Sequence, residues 1–136
     1  METIKIVGKE YPMSFSAMAA KKIAAKHGTL EKFINELTND EATTEKSIDD
    51  IVEILNLLIS QGCAYKNYFE KDVPVPENAP VIAGKWTPLP KEALEIAVSV
   101  ADFNEIADKI KLCITKGKKQ KVEVVEKPKK MEAGQE

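Results

Sequence analysis

The sequence predicts a mainly α protein: a small helical bundle opened by an N-terminal β-hairpin and closed by a disordered, basic C-terminal tail. Three observations predict it. Residues 3–15, TIKIVGKEYPMSF, alternate apolar and polar on both sides of a Gly-Lys pair. The stretches Ile48–Gln61 and Ile96–Ile114 carry Ile, Leu and Val at helical spacing. Between Lys116 and Lys130, seven Lys face two Glu, a local +5 in a chain of net charge −2, so the rest carries −7. The domain proper is read as residues 1–117, with the hairpin at 3–13 and a proline-rich connection at 73–90, and the tail as 118–136.

At 136 residues, 43% hydrophobic and 31% charged, the chain suits one globular domain with a polar surface. A chain of this length buries about two-thirds of its unfolded surface and needs no staple to fold. Every basic residue other than the lone His27 is Lys. Without Arg, the bidentate fork that grips phosphate or carboxylate is missing, which argues against specific nucleic-acid recognition.

In the hairpin, a Gly8-Lys9 loop predicts a type II′ turn, with Gly first where φ is positive. That register sets Ile6 opposite Tyr11 and Ile4 opposite Met13. Ile4, Ile6, Tyr11 and Met13 then share one face, and Lys5, Val7, Glu10 and Pro12 the other. Pro12 cannot donate to a ladder, so the second strand is expected to be short and irregular at its outer edge. Two strands alone are marginal, so the apolar face must rest on the helices. The hairpin is either a lid on the core or a free edge, on the Ile4–Val7 side, for an incoming strand.

Ser16 to His27 reads as a short helix with Met18, Ala19 and Ile23 inward and Lys21, Lys22 and Lys26 outward. Gly28 ends it, and a cation at His27 suits the helix C-terminus. Thr29 caps a second helix, Leu30 to Leu37, whose Leu30, Phe33, Ile34 and Leu37 form its apolar face. Thr38 to Lys46 has no apolar period and reads as a solvated loop.

Ser47 with Asp50 resembles a capping box for the next helix. Eight of the fourteen residues Ile48–Gln61 are Ile, Leu or Val, while Asp49, Glu53, Asn56 and Ser60 form a narrow polar stripe. An ordinary surface helix shows the reverse. This one is either the central helix of the bundle or turns part of its apolar girth to a partner. Tyr65, Tyr68 and Phe69 read as core rim.

Val73–Pro90 holds five of the seven prolines and the only Trp, so it reads as an extended, stiff connection with neither helix nor central strand. Trp86 pins it to the body. From Pro90, Ile96, Val100, Phe103, Ala107, Ile110 and Ile114 form one seam on a helix that runs to about Lys116 and stops at Gly117. Glu105 and Lys109 pair on its outer face. The seam packs on the Ile48–Gln61 helix or joins two subunits. In the tail, KVEVVE offers a weak alternation that could pair with the hairpin edge.

No arrangement for catalysis stands out. His27 is the only histidine, so a Ser/His or Cys/His arrangement has one possible base. Asp49 and Asp50 are adjacent and diverge on a helix. There is no phosphate-binding Gly-rich loop, and Cys63 and Cys113 lie too far apart for a paired metal motif. The expectation is a protein that is not an enzyme, with no catalytic, cofactor or metal residues. Neither a signal peptide nor a membrane span is expected from the sequence, and the protein is expected to be cytoplasmic.

The I-x-I-x-G-K-x-Y hairpin, a helix ending in Gly28, the Asp-rich start before an Ile/Leu-rich helix and the charged tail together resemble tail assembly chaperones of long-tailed phages and prophages of low-GC bacteria. The resemblance covers most of the first sixty residues in pattern, and beyond them only the layout of helix and tail agrees. It implies a host-cytoplasmic protein that coats the tape-measure protein (or another tail protein), holds it soluble, self-associates as a homo-oligomer and is absent from the mature virion. Ile51, Leu55, Leu58 and Ile59 are the candidate partner surface, with Ile4, Ile6 and Tyr11 of the hairpin. The alternatives are a nucleic-acid-binding accessory protein using the Lys tail, without sequence specificity, and a minor structural tail subunit.

Overall fold

The computed structural model describes residues 1–39 and 45–119. Its elements in chain order are β1 (Glu2–Ile6), β2 (Lys9–Met13), α1 (Ala17–His27), α2 (Leu30–Asn39), α3 (Glu45–Phe69), β3 (Val81–Ile82), β4 (Lys85–Trp86), α4 (Lys91–Ala97), a 3-10 turn (Val100–Asp102) and α5 (Phe103–Lys119). The protein is mainly α, with an antiparallel hairpin at its start. Residues 120–136 of the predicted tail, with its KVEVVE segment, and residues 40–44 of the predicted loop lie outside the described residues; the tail's first two residues instead continue α5, and the loop's flanks are helical, 38–39 in α2 and 45–46 in α3.

The 25-residue α3 is the axis of the bundle. β2, α1, α4, β4 and α5 all pack against it. Val52, Ile54, Leu55, Leu58, Ile59 and Cys63 are buried along it, each large side chain contributing about 1.5–3 kcal/mol. The polar stripe is partly exposed and bonded to its neighbours. Lys26 of α1 pairs with Glu53 and Asp50, Lys91 reaches Asp49 at 2.7 Å, and Asn56 donates to the Leu89 carbonyl at 2.8 Å. Because α3 is already helical at Glu45, Ser47 lies within its first turns and is not the cap.

The hairpin differs from its prediction in the turn. Ile4 faces Tyr11 and Ile6 faces Lys9, so the loop is Val7-Gly8, with φ of 48° and 81°. Two central residues with positive φ mark a type I′ turn, whose twist matches the strands. The register moved by two residues, an even number, so Ile4, Ile6, Tyr11 and Met13 still share the buried face.

Pro12 is fully buried, and β2 is a regular five-residue strand. In this register Pro12 faces Thr3, at a position whose N–H would point away from β1. Its missing donor therefore costs no ladder bond. On that outer side, Glu10 N–H donates to Asn78 O and Ser14 N–H to Leu58 O, both at 3.0 Å. The outer edge of β2 is thus sealed by α3 and residue 78.

The α1 and α2 boundaries follow their signals. Ser16 caps α1 by accepting from Ala19 N–H at 3.0 Å, Gly28 takes φ 92°, and Thr29 accepts from Lys32 N–H at 3.0 Å. Met18 is a correction: it is exposed, while Ala19, Ile23 and His27 are the buried positions. His27 Nδ1 lies 3.1 Å from Glu36 and its ring packs on Phe33, with Nε2 buried and unpartnered among the described residues.

The predicted last helix is two. α4 ends at Ala97, Val98 is extended, and α5 begins at Phe103 after the 3-10 turn. A run of Val98, Ser99 and Val100 weakens the helix there, and Ser99 Oγ turns to Asp102 at 3.0 Å. The break leaves Ile96 and Val100 exposed, whereas Phe103, Ala107, Ile110 and Ile114 are buried as expected. Gly117 does not stop α5; it lets Phe15 approach, since a Cβ there would stand 2.6 Å from the Phe15 Cβ. Lys109 donates to the Thr3 carbonyl at 3.1 Å, so its reach is toward β1.

The proline-rich connection contains a miniature hairpin, β3–β4, turned by Ala83-Gly84 at φ 53° and 82°. Trp86 is held as expected: Asn67 of α3 accepts from its N–H at 2.9 Å and donates to its carbonyl at 3.0 Å. Lys66 Nζ lies 5.4 Å over its ring.

Candidate functional site

The residues expected to meet a partner are inside the molecule. Leu55, Leu58 and Ile59 have no exposure, and Ile51, Ile4, Ile6 and Tyr11 are buried as well. The hairpin covers one side of α3 and α5 a second, while α1 and the 89–91 segment bond to its polar stripe, so the apolar residues Ile51, Leu55, Leu58 and Ile59 are all turned inward. Burial also pushes the Tyr11 phenol above its ordinary range. These seven residues build the core.

The apolar face of α3 nonetheless outruns its cover. Ile51, Leu58 and Tyr65 step by seven residues, as do Leu55, Gly62 and Phe69. Seven residues are nearly two full turns, so each trio shares one face. The first two members of each trio are buried, whereas Tyr65 is 42% and Phe69 72% exposed. Tyr68, 73% exposed, stands beside them. The rings of Tyr65 and Phe69 lie 5.2 Å apart and those of Tyr68 and Phe69 6.1 Å, so the three form one cluster.

Exposed Val73 and Val75 extend the cluster along the chain that leaves α3. Together with Tyr68, Asn67, Gly84 and Trp86 they line a shallow cleft between the end of α3 and the β3–β4 hairpin. On the other side, Tyr65 borders a second cleft with Met13, Phe15 and Cys113. The two bonds of Asn67 and the Lys66–Glu70 pair at 2.8 Å fix the floor between them.

Chemically, this surface offers aromatic faces and aliphatic edges bordered by the charged side chains of Lys66, Glu70, Lys71 and Lys85. It can bury apolar side chains of a partner, and Tyr hydroxyls can satisfy the partner's polar groups at the rim. No group of three or more His, Cys, Asp or Glu that could hold a metal exists among the described residues. Cys63 and Cys113 are buried, with burial pushing both thiols up to about 11, so neither is a thiolate nucleophile near neutral pH. Among the described residues, no helix is long and apolar enough to cross a membrane.

The sequence reading placed Tyr65, Tyr68 and Phe69 at the core rim and missed them as a surface. The signal was present in the seven-residue spacing, which carries the α3 core face past Gly62 into the aromatics. What the spacing did not contain was where the covering elements end.

No protein-family model matches the chain, and comparison with curated proteins and with solved structures finds no match.

Proposed function

We propose that the protein is a non-catalytic holding protein that shelters an apolar, helix-rich client, in the specific form of a phage tail assembly chaperone for the tape-measure protein. The observation that supports this reading is the exposed aromatic end of α3. Contiguous apolar surface of this kind, rimmed by polar residues, suits protein contact. Tyr and Phe supply contact area at low entropic cost, and a pair of aromatics at the centre of an interface typically dominates its energy. A long apolar client left uncovered would aggregate, and preventing that calls for such a surface and no reacting group.

The choice of client comes from the resemblance of residues 1–60 to tail assembly chaperones. The surface for it is Tyr65, Tyr68, Phe69, Val73 and Val75. Association of copies of this chain is part of the same proposal.

Co-expression tests it. A tape-measure protein of a long-tailed phage is produced with the wild type and with Tyr68→Ser/Phe69→Ser. The wild type is expected to keep the client soluble and to co-purify with it, and the double variant to lose at least tenfold of the captured client while remaining folded. Equal capture by both proteins, or no capture by either, contradicts the proposal.

A further inference from the structure

The first hairpin has one sealed edge and one open edge. In the β1–β2 register, Lys5 faces Glu10 and Thr3 faces Pro12. The outward bonds of Glu10 and Ser14 establish that at these positions the backbone groups point away from the partner strand. The outward groups of β1 are therefore those of Thr3 and Lys5, both exposed residues. Lys109 Nζ engages the Thr3 carbonyl at 3.1 Å, while the backbone N–H and C=O of Lys5 have no hydrogen bond among the described residues. The edge forms one wall of a cleft whose other wall is Val98, Asp102, Glu105 and Lys109. Unpaired backbone along an exposed strand is a template for another strand.

We propose that the strand is β1 of a second copy of this chain, paired antiparallel about a two-fold axis at Ile4. In that register Thr3 exchanges both backbone hydrogen bonds with Lys5 of the second copy, and the axis repeats the exchange for Lys5. The incoming Lys5 N–H takes the place of Lys109 Nζ at the Thr3 carbonyl. Two hairpins become one four-stranded sheet, which is stable where two strands are marginal. An axis at Lys5 would set that residue against its own copy, and like charges directly opposite destabilise a sheet. The axis at Ile4 avoids this. It also sets Val7 opposite Met1 of the second copy, two apolar side chains that the fold leaves 80% and 57% exposed.

The charges of the cleft argue for a second copy over another partner. Lys5 and Lys109 balance Asp102 and Glu105 there, so the cleft favours neither an acidic nor a basic segment. A surface of both signs complements itself where the axis sets one sign against the other. Lys116 pairs with Glu2 and Lys109 reaches Thr3, so α5 runs antiparallel to β1. Glu105 stands about 6 Å back along the helix, close to two residues of strand. Lys109 is therefore level with Thr3, and Glu105 with Lys5. The axis at Ile4 exchanges those levels and brings Glu105 toward Lys109 of the second copy, the lysine now released from Thr3. Asp102 is occupied by Ser99 Oγ at 3.0 Å. The proposal rests on the self-association in the reading above and supplies its surface. Met1 and Glu2 also border the cleft beside Tyr65, so the dimer and client surfaces adjoin without sharing Tyr68 or Phe69.

Sedimentation and amide hydrogen exchange on the full-length chain test it. The wild type is expected to be a dimer when concentrated, with Lys5 N–H exchanging at least tenfold more slowly than in a sample dilute enough to dissociate. Ile4 and Tyr11 bond within the hairpin, stay protected in both samples and report that it is folded. Glu105→Lys and Lys109→Glu are each expected to weaken the dimer at least tenfold. An equal mixture of the two is expected to restore it, because unlike charges then meet across the axis. Lys5→Pro removes the outward donor, as Pro12 does on β2, and is expected to stay monomeric. A wild type that is monomeric when concentrated, or a dimer that none of the variants weakens, overturns the proposal. Slow Lys5 exchange in a monomeric wild type also overturns it, since the edge is then covered from within the chain. Client capture by the two charge variants reads the α3 surface separately, so either reading can fail alone.

Discussion

Gly62 of α3 lies directly against the backbone of Pro12. A Cβ at position 62 would penetrate the Pro12 carbonyl and stand 2.8 Å from the Met13 nitrogen. The obstacle is backbone, fixed by the Ser14 to Leu58 hydrogen bond, so it cannot move aside as a side chain could. Gly62→Ala is expected to lower unfolding free energy by about 1–3 kcal/mol through overpacking, which exceeds the roughly 1 kcal/mol that Ala gains in a helix. Chemical denaturation with an unchanged slope and a lower midpoint would confirm it.

Val7 holds φ 48° in the hairpin turn and is 80% exposed. A β-branched residue with positive φ is strained, and its exposure means that little burial compensates. Val7→Asn is expected to raise stability by about 1 kcal/mol, because Asn is favoured at this position of a type I′ turn. Thermal unfolding of the two proteins side by side measures it.

Asn67 makes both side-chain hydrogen bonds that fasten Trp86 to α3. Asn67→Ala leaves the Trp86 backbone groups to solvent and is expected to cost about 1–2 kcal/mol. Trp86 is the only tryptophan, so its emission is an unambiguous reporter. A red shift in the folded variant is the expected outcome.

Burial disfavours the thiolates of Cys63 and Cys113 and pushes both thiols up to about 11. A pKa raised in the folded state favours the protonated thiol there. The corresponding stability is therefore full below the ordinary thiol range and declines as pH rises through about 11. Both thiols are expected to resist an aromatic disulfide reagent at pH 8 and to react once denaturant is added. Denaturation midpoints between pH 8 and 11 should fall with rising pH.

The mainly α class and the hairpin were legible because apolar spacing and local caps encode them. Gly28 and Thr29 each do in the structure what their position in the chain predicts, whereas Ser16, read as the first helical residue, is the cap of α1. Three features depended on contacts between distant segments and left no local trace. Gly62 reads as an ordinary helical glycine until β2 is laid on it. The even shift of the hairpin register preserved its inner face while changing its turn, since Val7 is a poor turn former by residue type alone. The heptad seam through Ile96 and Val100 is real in spacing, yet the chain breaks at Val98 and turns both outward. Likewise, counting apolar residues on α3 identified a helix needing cover on every side. It did not locate the cover, which buries Ile51, Val52, Ile54, Leu55, Leu58 and Ile59 and stops short of Tyr65 and Phe69.

The account rests on the aromatic end of α3 being where the client binds. A photo-activated benzophenone amino acid placed at position 68, and separately at the half-exposed Leu112 of α5, tests this in cells making a phage tape-measure protein. The account predicts a covalent adduct with that protein from position 68 and little or none from position 112. Adducts of equal yield from both positions, or from 112 alone, would contradict it.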